Sequence, residues 1–364
     1  MLAKLQLQNF RCFNDHVIPL HKTTIIVGRN NAGKSTIVEA LRLVSIVVSR
    51  YQSLNFSDAP TWADIPRRNR GVSPSLENMG FNFKTAFYRY GEPPAIITAT
   101  FDTNHTITIY IGPQDNIYAI IKTPDGTQIT NKGDARKVFL PNVSALPFVA
   151  PLKYDEKILT SDYVLSTMSS SLAPLHFRNE LNLFYKKFKD FKEFTENSWP
   201  GLRLLELQGQ GEFPENDLAL LIQDGDFAAE IGWMGHGLQM WLQTMWFLTL
   251  TRDHPTIILD EPDIYMHADL QRKLIRLLRN FNKQIIIATH SIEILSEVEP
   301  EEVLIIDKKK KESKFASSLP VVQQVINHIG GVQNLQLARL WNSRQCIFVE
   351  GKDISILNLN SAIF

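Results

Sequence analysis

Gly28-Arg29-Asn30-Asn31-Ala32-Gly33-Lys34-Ser35 fits the pattern G-x-x-x-x-G-K-S/T, and the residues on either side of it decide the fold. Thr24-Ile25-Ile26-Val27 before it is an apolar run of the kind that makes a buried strand, and residues 35–49 after it carry helical periodicity. Strand, glycine turn and helix in that order are the context a phosphate-binding loop requires. Glycines let backbone N–H groups turn inward around phosphate oxygens, while the helix N-terminus adds the positive end of its dipole. By chance alone the pattern arises in roughly one chain of this length in a hundred, so the flanking strand and helix carry much of the weight. Lys34 is expected to reach the β- and γ-phosphates of ATP and Ser35 to ligate Mg2+, with Gly28, Asn30, Asn31, Ala32, Gly33 and Thr36 around the nucleotide.

A second α/β stretch supplies the rest of such a site. Thr256-Ile257-Ile258-Leu259 is an apolar strand that ends in two acids, Asp260 and Glu261. A carboxylate fixed at a strand end suits a second Mg2+ contact, which assigns Asp260 to the metal, and Glu261 is placed to orient or deprotonate the attacking water. After a helix at 268–280, Gln284-Ile285-Ile286-Ile287-Ala288 delivers Thr289-His290-Ser291 at its carboxyl end, the edge where ligands of parallel sheets bind. His290 is therefore expected near the γ-phosphate or the water. A helix at 292–298 and a strand at 303–306 continue the alternation, which implies a parallel sheet.

Elsewhere, residues 2–8 and 16–20 read as short strands, and residues 95–122 read as an antiparallel meander closed by the turn signal Pro124-Asp125-Gly126. Residues 162–198 look mainly helical, with Leu181, Phe184, Tyr185 and Phe188 on one face, until Pro200-Gly201 stops the pattern. Hydrophobic residues make up 44% and charged residues 21%, ordinary for a globular chain, so disorder is not expected. Lys+Arg and Asp+Glu are both 38, so net charge supplies no pull toward nucleic acid or membrane and any DNA contact must be local. Cys12 and Cys346 show no metal-ligand pairing and fit a reducing compartment. The run at 238–250, interrupted by Gln239 and Gln243, falls short of the ~20 residues of a membrane helix. The first ten residues also lack the apolar core of a signal peptide. A cytoplasmic, non-membrane protein is expected.

Together, Asn9-Phe10-Arg11-Cys12-Phe13, GRNNAGKST, DEPDIYMHADLQ and ATHSIEIL form a pattern that resembles the ABC-type ATPases of the SMC and RecF group. It is most similar to the OLD (overcoming lysogenization defect) family, in which such an ATPase precedes a Toprim nuclease. The resemblance implies an ABC head over residues 1–307, with a phosphate-loop sheet, an antiparallel β-subdomain and a helical insertion at about 162–200. It also implies two heads that sandwich ATP, each site completed by the partner's signature segment. Met234-Gly235-His236-Gly237-Leu238-Gln239 matches the signature's position, with Gly235 where a serine is usual; a plain glycine-containing helix start is the other reading. His267 matches a position that crosses the dimer interface, or is a surface histidine, and Arg11 matches a basic residue that approaches the nucleotide.

Residues 308–344 read as a basic loop and helical linker, in which Lys308 to Lys311 is a solvated loop or a contact for DNA phosphates. Residues 345–364 resemble an incomplete Toprim start, with Glu350 as one metal-binding carboxylate, or form an unrelated strand and turn. No Asp-x-Asp pair follows, so nuclease activity is not expected from this chain alone. The function implied is an ATP-hydrolysing head that dimerises around ATP and serves as motor or sensor of an OLD-like, anti-phage nuclease system. The alternative is an ATP-gated scaffold with little hydrolysis that assembles or restrains a partner effector. A homodimer or higher oligomer and a nuclease domain or effector are the partners implied, with DNA open.

Overall fold

The computed structural model describes residues 1–76, 81–146, 149–168, 172–208 and 217–329. Its strands are β1 (Leu2–Phe10), β2 (Phe13–Pro19), β3 (Thr23–Val27), β4 (Phe56–Ser57), β5 (Gly71–Val72), β6 (Ala95–Phe101), β7 (Thr106–Ile111), β8 (Ile117–Lys122), β9 (Val143–Ala145), β10 (Leu202–Gln208), β11 (Ala219–Asp224), β12 (Phe227–Glu230), β13 (Thr256–Asp260), β14 (Gln284–Ala288), β15 (Val303–Ile305) and β16 (Lys314–Phe315). The helices are α1 (Lys34–Arg50), α2 (Lys132–Ala135), α3 (Ser161–Thr167), α4 (Phe177–Leu183), α5 (Tyr185–Ser198), α6 (His236–Leu250), α7 (Ala268–Arg279), α8 (Ile292–Ser296) and α9 (Leu319–Ile329).

The central sheet runs β16-β15-β3-β14-β13-β9 and is parallel except at the β15–β16 edge. The middles of its central strands β3, β13 and β14 are apolar because both faces are covered. Ile26, Ile258, Ile286 and Leu304 point into one core, and Ile25, Val27, Ile257, Leu259, Ile285, Ile287 and Val303 into the other. The first core is shared with α1 and with a seven-stranded antiparallel sheet, β2-β1-β6-β7-β8-β5-β4. The second holds α6, which is apolar on nearly every face and buried along most of its length, as that pattern demands. Gln284 ties the two sheets together. Its Oε1 accepts from Leu2 N at 2.8 Å and from Thr256 Oγ1 at 3.0 Å, while its Nε2 donates to Leu2 O at 2.6 Å.

The meander expected at residues 95–122 is β6–β8, and it joins β1 and β2 in one sheet. The helical stripe through residues 162–198 is not continuous. Phe184 adopts φ −104, ψ 38 between α4 and α5, and the break leaves Tyr185 62% exposed while Leu181 and Phe188 stay buried. A small antiparallel sheet, β10-β11-β12, follows this region and has no clear period in the sequence. It is fastened to α4 by a buried cation. Arg178 donates to both oxygens of Glu230 at 2.7 and 2.9 Å and to Glu156 Oε2 at 3.1 Å. Residues 308–329 continue the same sheet and core: β16 pairs with β15, and Val322 and Ile326 of α9 are buried in the second core. The Toprim-like stretch with Glu350 lies outside the described residues. Among the described residues no helix is long and apolar enough to cross a membrane.

Candidate functional site

The turn from β3 into α1 has the shape its sequence requires. Gly33 sits at φ 110, a left-handed conformation that side chains rarely adopt, and a Cβ there would come within 2.5 Å of Phe13 Cζ and 2.8 Å of Cys12 Sγ. A Cβ on Gly28 would meet Ala32 Cβ at 2.9 Å and Ile306 O at 3.1 Å. The opening segment Asn9–Phe13 therefore packs directly beneath the loop, which gives that stretch of sequence a structural reason. Two cavities flank the turn. One of about 590 Å³ includes Arg29, Asn30, Asn31 and Lys308 to Lys310; one of about 300 Å³ is lined by Ser35, Thr36, Asp260, Arg11, Glu39 and Arg42.

Lys34 opens α1 and is buried, 5% exposed. Its Nζ lies 2.5 Å from His290 Nε2 and 3.5 Å from Gly28 O. Burial holds its pKa below the usual lysine value, against the upward pull of Glu261, Asp260 and Asp263. His290 Nε2 accepts this ammonium, so the hydrogen-bond network places the imidazole proton on Nδ1, a buried atom without a partner among the described residues. Burial foremost, and then Lys34, pushes the His290 pKa down. The 3.4 Å approach of His290 Nε2 to Glu261 Oε1 is therefore a close contact with a neutral ring rather than an ion pair.

The two acids end β13 next to these groups. Asp260 has a buried Oδ1 with no partner among the described residues, and burial raises its pKa, partly offset by Arg42 and Lys34. An orphaned carboxylate oxygen sharing a cavity with a serine hydroxyl suits a hard divalent cation, which takes one or two carboxylates plus hydroxyl and phosphate oxygens. Glu261 leaves the strand at φ 45, with its N–H donating to Ala288 O at 2.8 Å across to β14. A non-glycine residue held in that region marks a constrained position of the kind found at functional sites. Burial first and Asp263 second push the Glu261 carboxyl up to about 7, close to where a general base works best. Hydrolysis measured as kcat/KM is accordingly expected to fall as pH drops below about 7, where Glu261 takes up its proton, and to level off above it. A profile that is flat from pH 5.5 to 8.5 would count against Glu261 as the base.

The structure thus brings Lys34, Ser35, Thr36, Asp260, Glu261 and His290 to one end of the parallel sheet. Arg11 lies at the same cavity, yet its guanidinium is engaged: one nitrogen donates to Glu39 Oε1 at 2.7 Å and another to Thr85 Oγ1 at 2.8 Å. Gly235, Gly237 and His267 lie elsewhere, in a groove with Tyr265, Trp233 and Phe227 that shares no residue with the phosphate loop's cavities. His267 is the N-cap of α7, with its side chain 80% exposed. The lysine run is exposed as a solvated loop would be, but Lys308 Nζ reaches back to donate to Asn31 O at 2.9 Å.

Sequence reasoning missed a second layer of residues. Thr289 Oγ1 donates to Asp263 and accepts from Ser291 N, and Ser291 Oγ donates to Gln271 Oε1. Gln271 Nε2 in turn holds Met266 O at 2.7 Å. This chain fixes the loop after Glu261 to the loop that carries His290. The polar Thr-His-Ser step was the one available signal.

A family model described as "AAA domain, putative AbiEii toxin, Type IV TA system" matches residues 23–296, from the start of β3 to the end of α8. The chain is 25% identical, over an alignment of 379 residues, to a protein of Thermus scotoductus named OLD nuclease; the alignment covers 87% of this chain and 64% of that one. The chain therefore spans under two thirds of the length of that curated relative. Among solved structures it resembles an SMC head bound to the C-winged helix domain of ScpA, with TM-score 0.54, 16% identity, and coverage of 88% of this chain and 99% of that one. A Pyrococcus furiosus Smc head with an extended coiled coil, bound to the C-terminal domain of ScpA, gives TM-score 0.52 at 14% identity, covering 90% and 99%. A Pyrococcus yayanosii Smc head with a coiled coil and joint gives 0.53 at 12% identity, with the same coverage. Likeness at these identities speaks to the fold alone, which resembles that of the SMC head domains.

Proposed function

Because the chain belongs to the AAA-domain family whose model spans residues 23–296, we propose that it binds MgATP on the loop from Gly28 to Ser35, dimerises around it and hydrolyses it. The observation that carries this reading is the meeting of a buried lysine, a histidine, a raised-pKa glutamate and an unpartnered aspartate oxygen at one sheet edge. Lys34 exchanges His290 for the β- and γ-phosphate oxygens when ATP enters, which satisfies a buried cation with an anion. Asp260 and Ser35 would hold Mg2+, which when bound offsets phosphate charge. Glu261 then orients and deprotonates the water, with His290 beside it.

The second copy supplies what one chain lacks. Gly235 and Gly237 lie in a groove whose neighbours Trp233, Phe227 and Tyr265 are 68%, 59% and 56% exposed, a surface fit for covering by the partner's phosphate-loop face. Gly235 is the N-cap of α6 at φ −58, and a Cβ there meets nothing within 4 Å. Gly235→Ser is expected to fold normally, gain a few tenths of a kcal/mol, roughly, from capping, and hydrolyse ATP at least as fast as the parent. Thermal unfolding and phosphate release check this, and slower hydrolysis by the serine variant would count against a role for the segment across the dimer.

The named nuclease relative supports the wider reading: a motor or sensor within an OLD-like nuclease system, with a nuclease domain or effector as partner, in anti-phage defence. Cytoplasmic location and DNA as a further partner belong to the same proposal. Gly235 in place of a serine favours a second reading, an ATP-gated scaffold with little hydrolysis that assembles or restrains an effector. Steady-state phosphate release with and without DNA, with Glu261→Gln as control, separates the two. Turnover lost in the variant supports the hydrolase; no turnover above the variant under any condition supports the scaffold.

A further inference from the structure

Between the far half of α1, β9, α4 and α6 lies a cavity of about 310 Å³ that shares no residue with the nucleotide site. Phe177, Trp246 and Phe247 supply aromatic wall, and Glu180 is the one acidic group that lines it among the described residues. Glu180 is 7% exposed, and its Oε2 accepts from Trp246 Nε1 at 3.0 Å. The nearby Glu156 shares the single cation Arg178 with Glu230, at 3.1 and 2.7 Å, so that guanidinium is already taken by two carboxylates. Among the described residues no cation pairs with Glu180. Other polar groups on the wall are engaged within the chain. Ser45 Oγ donates to Val143 O at 2.6 Å, Gln243 Nε2 to Ala150 O at 2.9 Å, and Ser144 Oγ lies 2.5 Å from His254 Nδ1. A buried carboxyl without a charge partner, set among aromatic rings, is chemically a receptor for a cation.

We propose that this cavity binds a small primary ammonium compound with an apolar aryl or alkyl body, the ammonium pairing with Glu180 and the body packing on Phe177, Trp246 and Phe247. A cavity of about 150 Å³ accepts benzene and ligand pockets begin near about 300 Å³, so this one has room for an arylalkylamine. Burial foremost, and then the charge of Glu156, push the Glu180 carboxyl up to about 8, against the lowering by Trp246. At pH 7 the free protein therefore holds this carboxyl protonated. The ammonium enters with its own protons, Glu180 gives its proton to solvent, and the complex is a neutral pair. His254, the other titratable group on the wall, is held below its usual range by burial and by Lys283, so it does not take up that proton.

The test is isothermal titration of the full chain at pH 7 with phenethylamine, in two buffers of different ionisation enthalpy, beside 2-phenylethanol as the neutral isostere. The amine is expected to bind at one site, release close to one proton, and bind roughly tenfold or more tighter than the alcohol. Glu180→Gln should abolish the proton release and the preference for the amine. Ala173→Leu, which fills the cavity without touching the carboxyl, should weaken both probes. Equal affinity for the two probes, amine binding without proton release, amine affinity unchanged in Ala173→Leu, or no saturable binding would overturn the proposal. None of these readouts involves ATP, so the nucleotide reading stands or falls separately.

Discussion

Lys34→Ala is expected to remove tight MgATP binding, a loss on the order of a hundredfold in affinity, because one charge-assisted contact to phosphate is worth about 1.5–3 kcal/mol and this lysine is proposed to reach both the β- and γ-phosphates. The side chain is buried at the first residue of α1, and among the described residues its ammonium has no acidic partner within bonding distance, only His290 Nε2 and Gly28 O. Its desolvation is unfavourable in the free protein, as its lowered pKa records, and phosphate oxygens relieve it. Alanine suits a helix start, so the fold should survive and circular dichroism should be unchanged. Titration calorimetry with MgATP checks the prediction, and parent-like affinity in the variant would remove Lys34 from the site.

Glu261→Gln should act oppositely on binding and on turnover. Glutamine keeps the shape, Asp260 and Ser35 are left in place to hold Mg2+ as proposed, and the backbone N–H of residue 261 still bonds Ala288 O. ATP affinity is therefore expected to stay within a few-fold of the parent. Hydrolysis should fall roughly 10²- to 10⁴-fold, the usual range for removing a positioned general base, and the ATP-bound pair should persist correspondingly longer. Phosphate release and size-exclusion chromatography with ATP read the two effects. A variant that turns over at the parent rate would show that Glu261 has no catalytic part.

The nucleotide site was legible because its parts are local in sequence. Each strand reads as a short apolar run, since residues such as Ile257 and Ile258 face different cores, and the candidate side chains sit at or just after its carboxyl end. Gly33 stands in its pattern because Phe13 and Cys12 leave no room for a Cβ. What stayed hidden depends on contacts distant in the chain. β9 is three residues long and exists only because β13 lies beside it. β4 and β5 are two-residue pairings at a sheet edge. Nothing local reveals that Glu39 of α1 pairs with the Arg11 guanidinium at the edge of the cavity that Ser35 and Asp260 line. Asp263 and Gln271 likewise gain their roles only through Thr289 and Ser291 on another strand's end.

The two-copy ATP site is the central claim, and a disulfide across it is the most direct measurement. Asn31 lies on the phosphate loop at φ 62, a conformation cysteine can take at modest cost, and Gly237 lies in the exposed groove that the partner's loop is proposed to cover. With Asn31→Cys and Gly237→Cys in one chain, and each single variant as control, oxidative crosslinking is followed with no nucleotide, with MgADP and with MgATP in the Glu261→Gln background. Dimeric product that forms with MgATP and is near background otherwise is the predicted result. Crosslinking that is equal in all three conditions, or absent with MgATP while ATP binding is intact, would contradict it.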